Sequence, residues 1–219
     1  MSEPVIAPLR TRRTPGYFVF RGFIISAWWL LFRPRVTGRE NIPLHGAVLI
    51  APVHRSNLDF AFTVFMTRRK AFFMAKDSLW KVPVLRTLIS TMGAFPVKRG
   101  TADRESMRYA HLVLAQGETL VMFPEGTRQE GSEVQTLHDG AMFVAARTNA
   151  VVVPVGIGHT ERAMPRGAKF PRPVRVRIVI GKPIAAPSGD GRPTRSQITD
   201  STEQLRLALQ DVYSQSMKR

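Results

Sequence analysis

Short apolar runs that alternate with helical segments most constrain the fold of this chain. The runs are four to seven residues long, are bounded by turn residues and span residues 47–53, 71–76, 94–97, 119–123 and 151–157. The segments between them have helical character over residues 56–67, 79–90, 103–116 and 140–148. Buried strands interleaved with helices are typical of an α/β domain. We therefore predict a mostly parallel, buried sheet flanked by helices.

Two further elements are predicted near the C-terminus. Residues 174–184 (VRVRIVIGKPI) alternate apolar side chains with Arg175 and Arg177, which indicates a half-exposed strand near the end of the sheet. Residues 187–193 are rich in proline and glycine and predict a linker. Apolar residues at helical spacing then predict an amphipathic helix over about 195–217 that packs back on the domain.

The N-terminal segment combines a long apolar run, residues 17–32, with basic flanks. Arginines precede the run (Arg10, Arg12 and Arg13), interrupt it (Arg21) and follow it (Arg33 and Arg35). A helix of this length spans about 24 Å, less than the roughly 30 Å hydrocarbon core of a bilayer. We predict a helix that lies in or dips into one leaflet of an anionic membrane, with a buried core helix as the alternative. The chain then divides into a membrane-associating segment, residues 1–36, and a folded domain, residues 37–219.

The charge balance favours a polyanionic partner. The chain has 32 basic and 16 acidic residues, a formal net charge of +16. Nucleic acid, an anionic membrane and phosphorylated substrates all fit such an excess. Because the aromatic residues cluster in the apolar N-terminal segment and are not interleaved with the basic ones, we predict no nucleic-acid partner. The absence of cysteine excludes disulfides, thiolate nucleophiles and thiolate metal ligands.

The stretch HRSNLD, residues 54–59, is the first candidate for chemistry. His54 can serve as a base oriented by Asp59 if the histidine precedes the first helical turn and the aspartate lies within it. The alternative is an ordinary helix start, in which Ser56 and Asp59 form a capping box.

Three further stretches interrupt the apolar pattern. They are GAFPVKRG (residues 93–100), FPEGTR (residues 123–128) and VPVGIG (residues 153–158). In open α/β sheets, ligands bind beyond the carboxyl ends of the strands. His54, Arg99 and Glu125 each follow a predicted strand, so parallel neighbouring strands would bring them to one edge. This convergence favours the catalytic interpretation of His54 and Asp59.

The four motifs in this order resemble those of the glycerophospholipid acyltransferases, most of all the lysophosphatidate acyltransferases. His54 and Asp59 match the family's first motif, and residues 93–99, with Gly93, Phe95 and Arg99, match its second. Residues 123–128 match the third motif in full. Pro154 matches the fourth. The resemblance covers roughly residues 36 to 182, and the third motif is the most specific.

The resemblance implies a role for each matched residue. His54 is the general base and Asp59 holds its ring, while no serine is acylated, because the acceptor hydroxyl is the nucleophile. Arg99 and Arg128 bind the acceptor phosphate, with Lys98 as a further charge. Glu125 contacts the glycerol part of the acceptor or, equally, orients an arginine. Gly126 allows close backbone approach, and Thr127 offers a hydroxyl.

The resemblance also implies the partners. We expect lysophosphatidate as acceptor, with glycerol 3-phosphate as the nearest alternative, and acyl-CoA or acyl carrier protein as co-substrate. No cofactor or metal is expected, and the protein is expected at the cytoplasmic face of the membrane. The chief rival is a metal-dependent hydrolase that uses His54, Asp59 and Glu125 as ligands.

Overall fold

The computed structural model describes residues 15–97, 104–168, 170–187 and 193–218, and within these ranges seven strands form one sheet. The strands are β1 (Arg35–Thr37), β2 (Val48–Pro52), β3 (Ala71–Lys76), β4 (Ala94–Val97), β5 (Thr119–Val121), β6 (Val151–Gly158) and β7 (Arg177–Ile180). Their spatial order is β1-β7-β6-β2-β5-β3-β4. Only the β6–β7 pair is antiparallel, so the predicted mostly parallel sheet is confirmed.

Seven α-helices accompany the described strands. They are α1 (Pro15–Phe32), α2 (Asp59–Met66), α3 (Pro83–Thr91), α4 (Arg104–Ala115), α5 (Gly140–Thr148), α6 (Thr160–Ala163) and α7 (Arg195–Met217). The first helix after β2 begins at Asp59 and not at residue 56. The helix expected over residues 79–90 is a 3-10 turn, Asp77–Lys81, followed by α3, which starts on a proline suited to the first helical position.

The edge strand β1 was not predicted from the sequence. It has only three residues, and it pairs in parallel with β7, from Arg35 opposite Arg177. The strand expected within residues 174–184 is correspondingly short, since β7 begins only at Arg177. Because β7 is antiparallel to β6, with Arg177 opposite Gly158, residues 159–176 leave and re-enter the sheet at the edge where β6 ends.

The core lies on both faces of the central strands. Every residue of β2 is buried, as expected of a strand covered on both sides. Helix α5 contacts α4 and α7, all three of these helices contact the sheet, and α1 contacts α2. Glycines in β6 allow α7 to approach closely, because a Cβ at Gly156 or Gly158 would clash with the carbonyl oxygen of Val212 or Ser216 on α7.

Helix α1 has one docked face and one exposed face. Tyr17 and Phe32 are buried, and Phe32 packs edge-to-face against Phe62 of α2. Arg21, which interrupts the apolar run, donates hydrogen bonds of 2.6 and 2.7 Å to the carbonyls of Val64 and Thr67 at the end of α2. The outer face exposes apolar side chains: Phe18, Val19, Phe23, Trp29 and Leu30. By length and composition α1 would suit a membrane span, and little of it is buried.

Candidate active site

His54 and Asp59 lie together at the carboxyl edge of the sheet. His54 follows β2, and Asp59 is the first residue of α2. His54 Nδ1 lies 3.0 Å from Asp59 Oδ2. Because a carboxylate can only accept, Nδ1 is the donor, which leaves the lone pair on Nε2. The His54 side chain is 14% exposed and that of Asp59 is not exposed at all, so the imidazole reaches the surface and its carboxylate does not.

The carboxylate of Asp59 is held by three further donors. Its Oδ2 accepts from the backbone N–H of Arg55 at 2.6 Å and of Ser56 at 2.7 Å. Its Oδ1 accepts from the hydroxyl of Thr160, at 2.6 Å, at the start of α6. Four donors directed at one buried carboxylate fix its rotamer, and with it the plane of the His54 ring.

Ser56 forms only half of the capping box that its spacing suggests. Its backbone N–H donates to Asp59, but its hydroxyl accepts from Leu58 N at 3.3 Å and donates to Met164 O at 3.2 Å. The hydroxyl therefore ties the turn before α2 to the chain after α6.

Glu125 is buried in an ion pair with Arg55. One guanidinium nitrogen of Arg55, Nη1, donates to both carboxylate oxygens at 2.7 and 2.8 Å, and the side chains are 1% and 0% exposed. Glu125 Oε2 also accepts from the backbone N–H of His54 at 2.7 Å. The Arg55 guanidinium lies 4.7 Å from the centre of the Tyr213 ring on α7, and its Nη2 donates to Glu133 O. The ion pair thus joins the chain around His54 to the third motif and to α7.

Burial raises the pKa of the Tyr213 phenol above its ordinary value, and the negative charge of Glu161 raises it further. The phenol therefore remains neutral at physiological pH, so the face on which Arg55 stacks belongs to an uncharged ring. A buried cation over such a face is stabilised by the ring quadrupole.

The loop of residues 123–129 closes against His54. The Phe123 ring lies 4.4 Å from the imidazole, centre to centre, and Gln129 N donates to His54 O at 2.9 Å. Gly126 has a φ of 68°, and a Cβ there would meet the His138 ring at 2.8 Å, so this turn requires glycine. Thr127 is exposed and Arg128 is half-buried at the same edge.

Lys98 and Arg99 lie outside the described residues. They follow β4, an outer strand that β3 separates from β5. The strands that precede His54 and Glu125, β2 and β5, are direct parallel neighbours. No group of three or more His, Asp or Glu side chains suited to holding a metal ion occurs in the part of the chain that the structure describes.

An apolar cavity of about 280 Å³ lies between α1 and α2. Its wall includes Phe60, which follows Asp59 in the sequence, together with Ala61 and Val64 of α2. On the other sides it is lined by residues of α1, β3 and α3, among them Ile24, Phe73 and Ile89.

A family model described as "Acyltransferase" matches residues 33–158, more than half of the chain, and this range contains all four motifs. The chain belongs to the acyltransferase family. The resemblance inferred from the motifs is thereby confirmed. His54, Asp59 and residues 123–128 lie inside the matched range.

Named relatives of this acyltransferase-family chain include a plant protein and a bacterial protein. It is 29% identical over 196 residues to the chloroplastic 1-acyl-sn-glycerol-3-phosphate acyltransferase LPAT1 of Arabidopsis thaliana, an alignment that covers 84% of this chain and 54% of that protein. It is 25% identical over 179 residues to the 1-acyl-sn-glycerol-3-phosphate acyltransferase of Bacillus subtilis, with coverage of 81% and 87%. The chain thus spans about half the length of the plant relative.

A solved structure shares the fold of this acyltransferase-family chain. The 1-acyl-sn-glycerophosphate acyltransferase of Thermotoga maritima superposes with a TM-score of 0.76 at 24% identity, covering 93% of this chain and 80% of that one. At this identity the likeness establishes the architecture alone.

Three residues of the candidate site were not anticipated from the sequence of this acyltransferase-family chain: Arg55, Thr160 and Tyr213. Arg55 stands next to His54, but its partners Glu125 and Tyr213 are remote in sequence. Thr160 follows the end of β6, so the argument that gathers residues at the carboxyl edge of the sheet could have found it. Nothing in the local sequence marks Tyr213, which occupies an apolar position of an amphipathic helix.

Proposed function

We propose that this chain transfers an acyl group from acyl-CoA or acyl carrier protein to the free hydroxyl of 1-acylglycerol 3-phosphate, forming phosphatidate. The observation that carries the proposal is the His54–Asp59 pair, whose outward nitrogen lies at an edge lined by the third motif. The names of the relatives from Arabidopsis thaliana and Bacillus subtilis support this acceptor. Glycerol 3-phosphate is the alternative acceptor. A mouse relative, 31% identical over 140 residues, is a mitochondrial glycerol-3-phosphate acyltransferase.

In the proposed reaction His54 is the general base. Its Nε2 takes the proton of the acceptor hydroxyl as the oxygen attacks the thioester carbonyl. The carbon–sulfur bond then breaks, and the imidazolium returns the proton to the departing thiolate. Asp59 stabilises the imidazolium, and base catalysis of this kind contributes about 10²–10⁴-fold in rate.

The acceptor phosphate is proposed to bind to arginines at the same edge. Arg128 follows the turn at Gly126 and lies half-buried beside the His54 loop. A guanidinium can grip phosphate oxygens with two parallel hydrogen bonds. Lys98 and Arg99 remain candidates for binding the same phosphate, because they belong to the second sequence motif. Gly126 and Thr127, exposed in the turn before Arg128, are also proposed to contact the acceptor.

Glu125 is proposed to orient groups rather than to contact glycerol. Its carboxylate has no exposed surface and is engaged by Arg55 and by the backbone of His54. A direct contact with the acceptor would first require this buried ion pair to open. The geometry therefore supports the role in which Glu125 orients an arginine and the backbone next to the base.

The cavity between α1 and α2 is proposed to hold part of an acyl chain. Its wall is almost entirely apolar and begins beside Asp59. The exposed face of α1 is proposed to rest in an anionic membrane, with the arginines that follow the helix, Arg33 and Arg35, on head groups. The cytoplasmic face is the expected side, since acyl-CoA and acyl carrier protein are found there.

The test is acyl transfer from palmitoyl-CoA and from palmitoyl carrier protein, with lysophosphatidate and glycerol 3-phosphate as separate acceptors. Wild type and His54→Ala are compared with His45→Ala, a matched change at an exposed histidine outside the site. We expect transfer to lysophosphatidate that disappears in His54→Ala and persists in His45→Ala. An active His54→Ala enzyme would remove the general base from the proposal. Release of free fatty acid without acceptor would indicate a hydrolase instead.

A further inference from the structure

Residues 162–177, here called the basic loop, carry six basic residues and no acidic one. The basic residues are Arg162, Arg166, Lys169, Arg172, Arg175 and Arg177. Of these, Arg162, Arg166, Arg172 and Arg175 are exposed, Arg166 in an exposed ion pair with Glu130, and Lys169 lies outside the described residues. Such a density of one charge within 16 residues favours a polyanionic surface as partner.

The basic loop lies at the same edge of the sheet as His54. It leaves from α6, beyond the end of β6, and returns to the sheet at Arg177, opposite Gly158. Met164 O accepts from the Ser56 hydroxyl, three residues before Asp59. Arg166 donates to Arg128 O at 2.8 Å. A surface that binds this loop therefore also faces the candidate active site.

An apolar side chain projects from the middle of this basic segment. Phe170 is 81% exposed, more than any other large hydrophobic residue described. Prolines at positions 171 and 173 stiffen the chain beside it. An exposed phenylalanine among arginines matches the interface of an anionic membrane, where the ring enters the acyl region and the guanidinium groups remain among the head groups.

The end of the basic loop is hydrogen-bonded to the chain at the end of α1. Val176 N donates to Phe32 O at 3.1 Å, and Arg35 N donates to Val176 O at 3.0 Å. The end of the loop thus lies against the last residue of α1, close in sequence to the exposed side chains of Trp29 and Leu30. A bilayer that receives the outer face of α1 lies within reach of the loop.

We propose that the basic loop is a second membrane contact, in which Phe170 inserts into an anionic lipid surface and the surrounding arginines bind its head groups. The inference rests on the membrane association of α1 proposed above and adds a separate point of attachment. Two attachment points fix the rotation of the domain on the bilayer. They hold the edge that carries His54 towards the surface from which a lipid acceptor arrives.

A single label tests the insertion. Because the chain has no cysteine, Phe170→Cys in the full chain accepts one environment-sensitive fluorophore. The matched control is Phe143→Cys, an exposed phenylalanine on α5 that also has an arginine, Arg147, beside its ring. Each labelled protein is mixed with phosphatidylcholine vesicles with and without phosphatidylglycerol, and binding is followed by sedimentation in parallel.

We expect the label at position 170 to shift to the blue and to be quenched by lipid-borne quenchers on anionic vesicles, while the label at 143 does not respond. If the protein sediments with the vesicles but the label at position 170 does not respond, the inference is overturned, while the proposed membrane contact of α1 is unaffected. Failure to sediment would overturn both contacts, but not the acyl transfer, which is assayed independently in detergent. A response to acidic carrier protein but not to vesicles would mean that the loop binds the donor.

Charge removal provides a second, independent test. Arg172→Gln with Arg175→Gln removes two loop charges, and we expect the partition coefficient onto anionic vesicles to fall about tenfold or more. The control is Arg147→Gln with Arg195→Gln, two exposed arginines outside the loop, for which only a small change is expected. Equal losses in the two double variants would attribute the effect to net charge and overturn the assignment to this loop.

Discussion

The hydroxyl of Thr160 donates a hydrogen bond of 2.6 Å to Oδ1 of Asp59, the oxygen that His54 does not use. Thr160→Val removes this donor at nearly constant volume, so Oδ1 loses its hydrogen bond and the carboxylate is held at Oδ2 alone. We expect kcat for acyl transfer to fall about tenfold or more, because small misplacements of a catalytic group are costly in rate. Steady-state kinetics on the purified variant measures the effect.

Thr160→Ser is the matched control for this positioning role, because it restores the hydroxyl while leaving out the methyl group. Activity should recover in the serine variant, although this variant loses the packing of the methyl group. Equal losses in the two variants, tracking their melting temperatures, would show that Thr160 serves the fold alone.

Removing one partner of the Arg55–Glu125 pair should be strongly destabilising, because both side chains are buried. Glu125→Gln leaves the Arg55 charge without its counter-ion, and we expect the free energy of unfolding to fall by about 3–5 kcal/mol. Glu203→Gln breaks the exposed pair with Arg206 on α7 and should leave the stability essentially unchanged. Urea denaturation measures the free energy of unfolding of both variants. Similar midpoints would contradict the expectation that loss of the buried pair costs more than loss of the exposed one.

The close approach of α7 to β6 depends on glycine. Gly156→Ala would place a Cβ against the carbonyl of Val212, and we expect a loss of about 3 kcal/mol in the free energy of unfolding. Gly22→Ala, in α1 with no neighbour near the added methyl group, should instead stabilise the helix by about 0.5–1 kcal/mol. Thermal unfolding followed by circular dichroism measures the stability of both variants. An unchanged melting temperature in Gly156→Ala would mean that α7 can shift away from β6 at little cost.

If the cavity beside α2 holds the acyl chain, filling it should change the donor preference. Ala61→Trp places a large ring in the cavity wall. We expect the ratio of kcat/KM for palmitoyl-CoA to that for octanoyl-CoA to fall about tenfold. Ala115→Trp, on the exposed end of α4, should leave the ratio unchanged. A uniform loss with both donors in Ala61→Trp would indicate misfolding and not chain selection.

The membrane role of α1 is best tested on its outer face, because deletion of the helix would remove Phe32 from the core. Val19→Asp with Leu30→Asp changes two of its most exposed residues. We expect binding to anionic vesicles to weaken at least tenfold, since charged residues are costly in an apolar interface. Leu44→Asp, equally exposed in the loop before β2, is the control. Unchanged binding to the vesicles would contradict the membrane role and favour the alternative, in which α1 is a core helix.

Five strands could be predicted because each is a compact apolar run, and the runs between residues 47 and 157 fall within one residue or two of the observed bounds. The edge strand β1 could not, because Arg35–Thr37 has a single apolar residue and is defined only by its partner β7. The start of α2 was misplaced because the Ser56 hydroxyl is engaged by a remote carbonyl, which no local pattern reveals.

The positions of two residues of the candidate site could also be predicted, because they follow from the order of the strands. Residues that follow neighbouring parallel strands converge, and so His54 and Glu125 could be placed at one edge from the order of the runs. The burial of Glu125 could not be foreseen, since it depends on the conformation of Arg55 and on Tyr213 of a distant helix. The proposal that Glu125 orients an arginine therefore depends on the structure and not on the sequence.

Because Arg55 stacks on Tyr213 of α7, the candidate site is complete only after α7 has been synthesised. Chain synthesis proceeds from the N-terminus, so His54, Asp59 and Glu125 emerge from the ribosome well before α7 does. Until then, the guanidinium of Arg55 lacks the ring that covers it, and β6 lacks the helix that its glycines receive. A nascent chain that already contains His54, Asp59 and Glu125 therefore cannot complete the surroundings of Arg55 until α7 has been made.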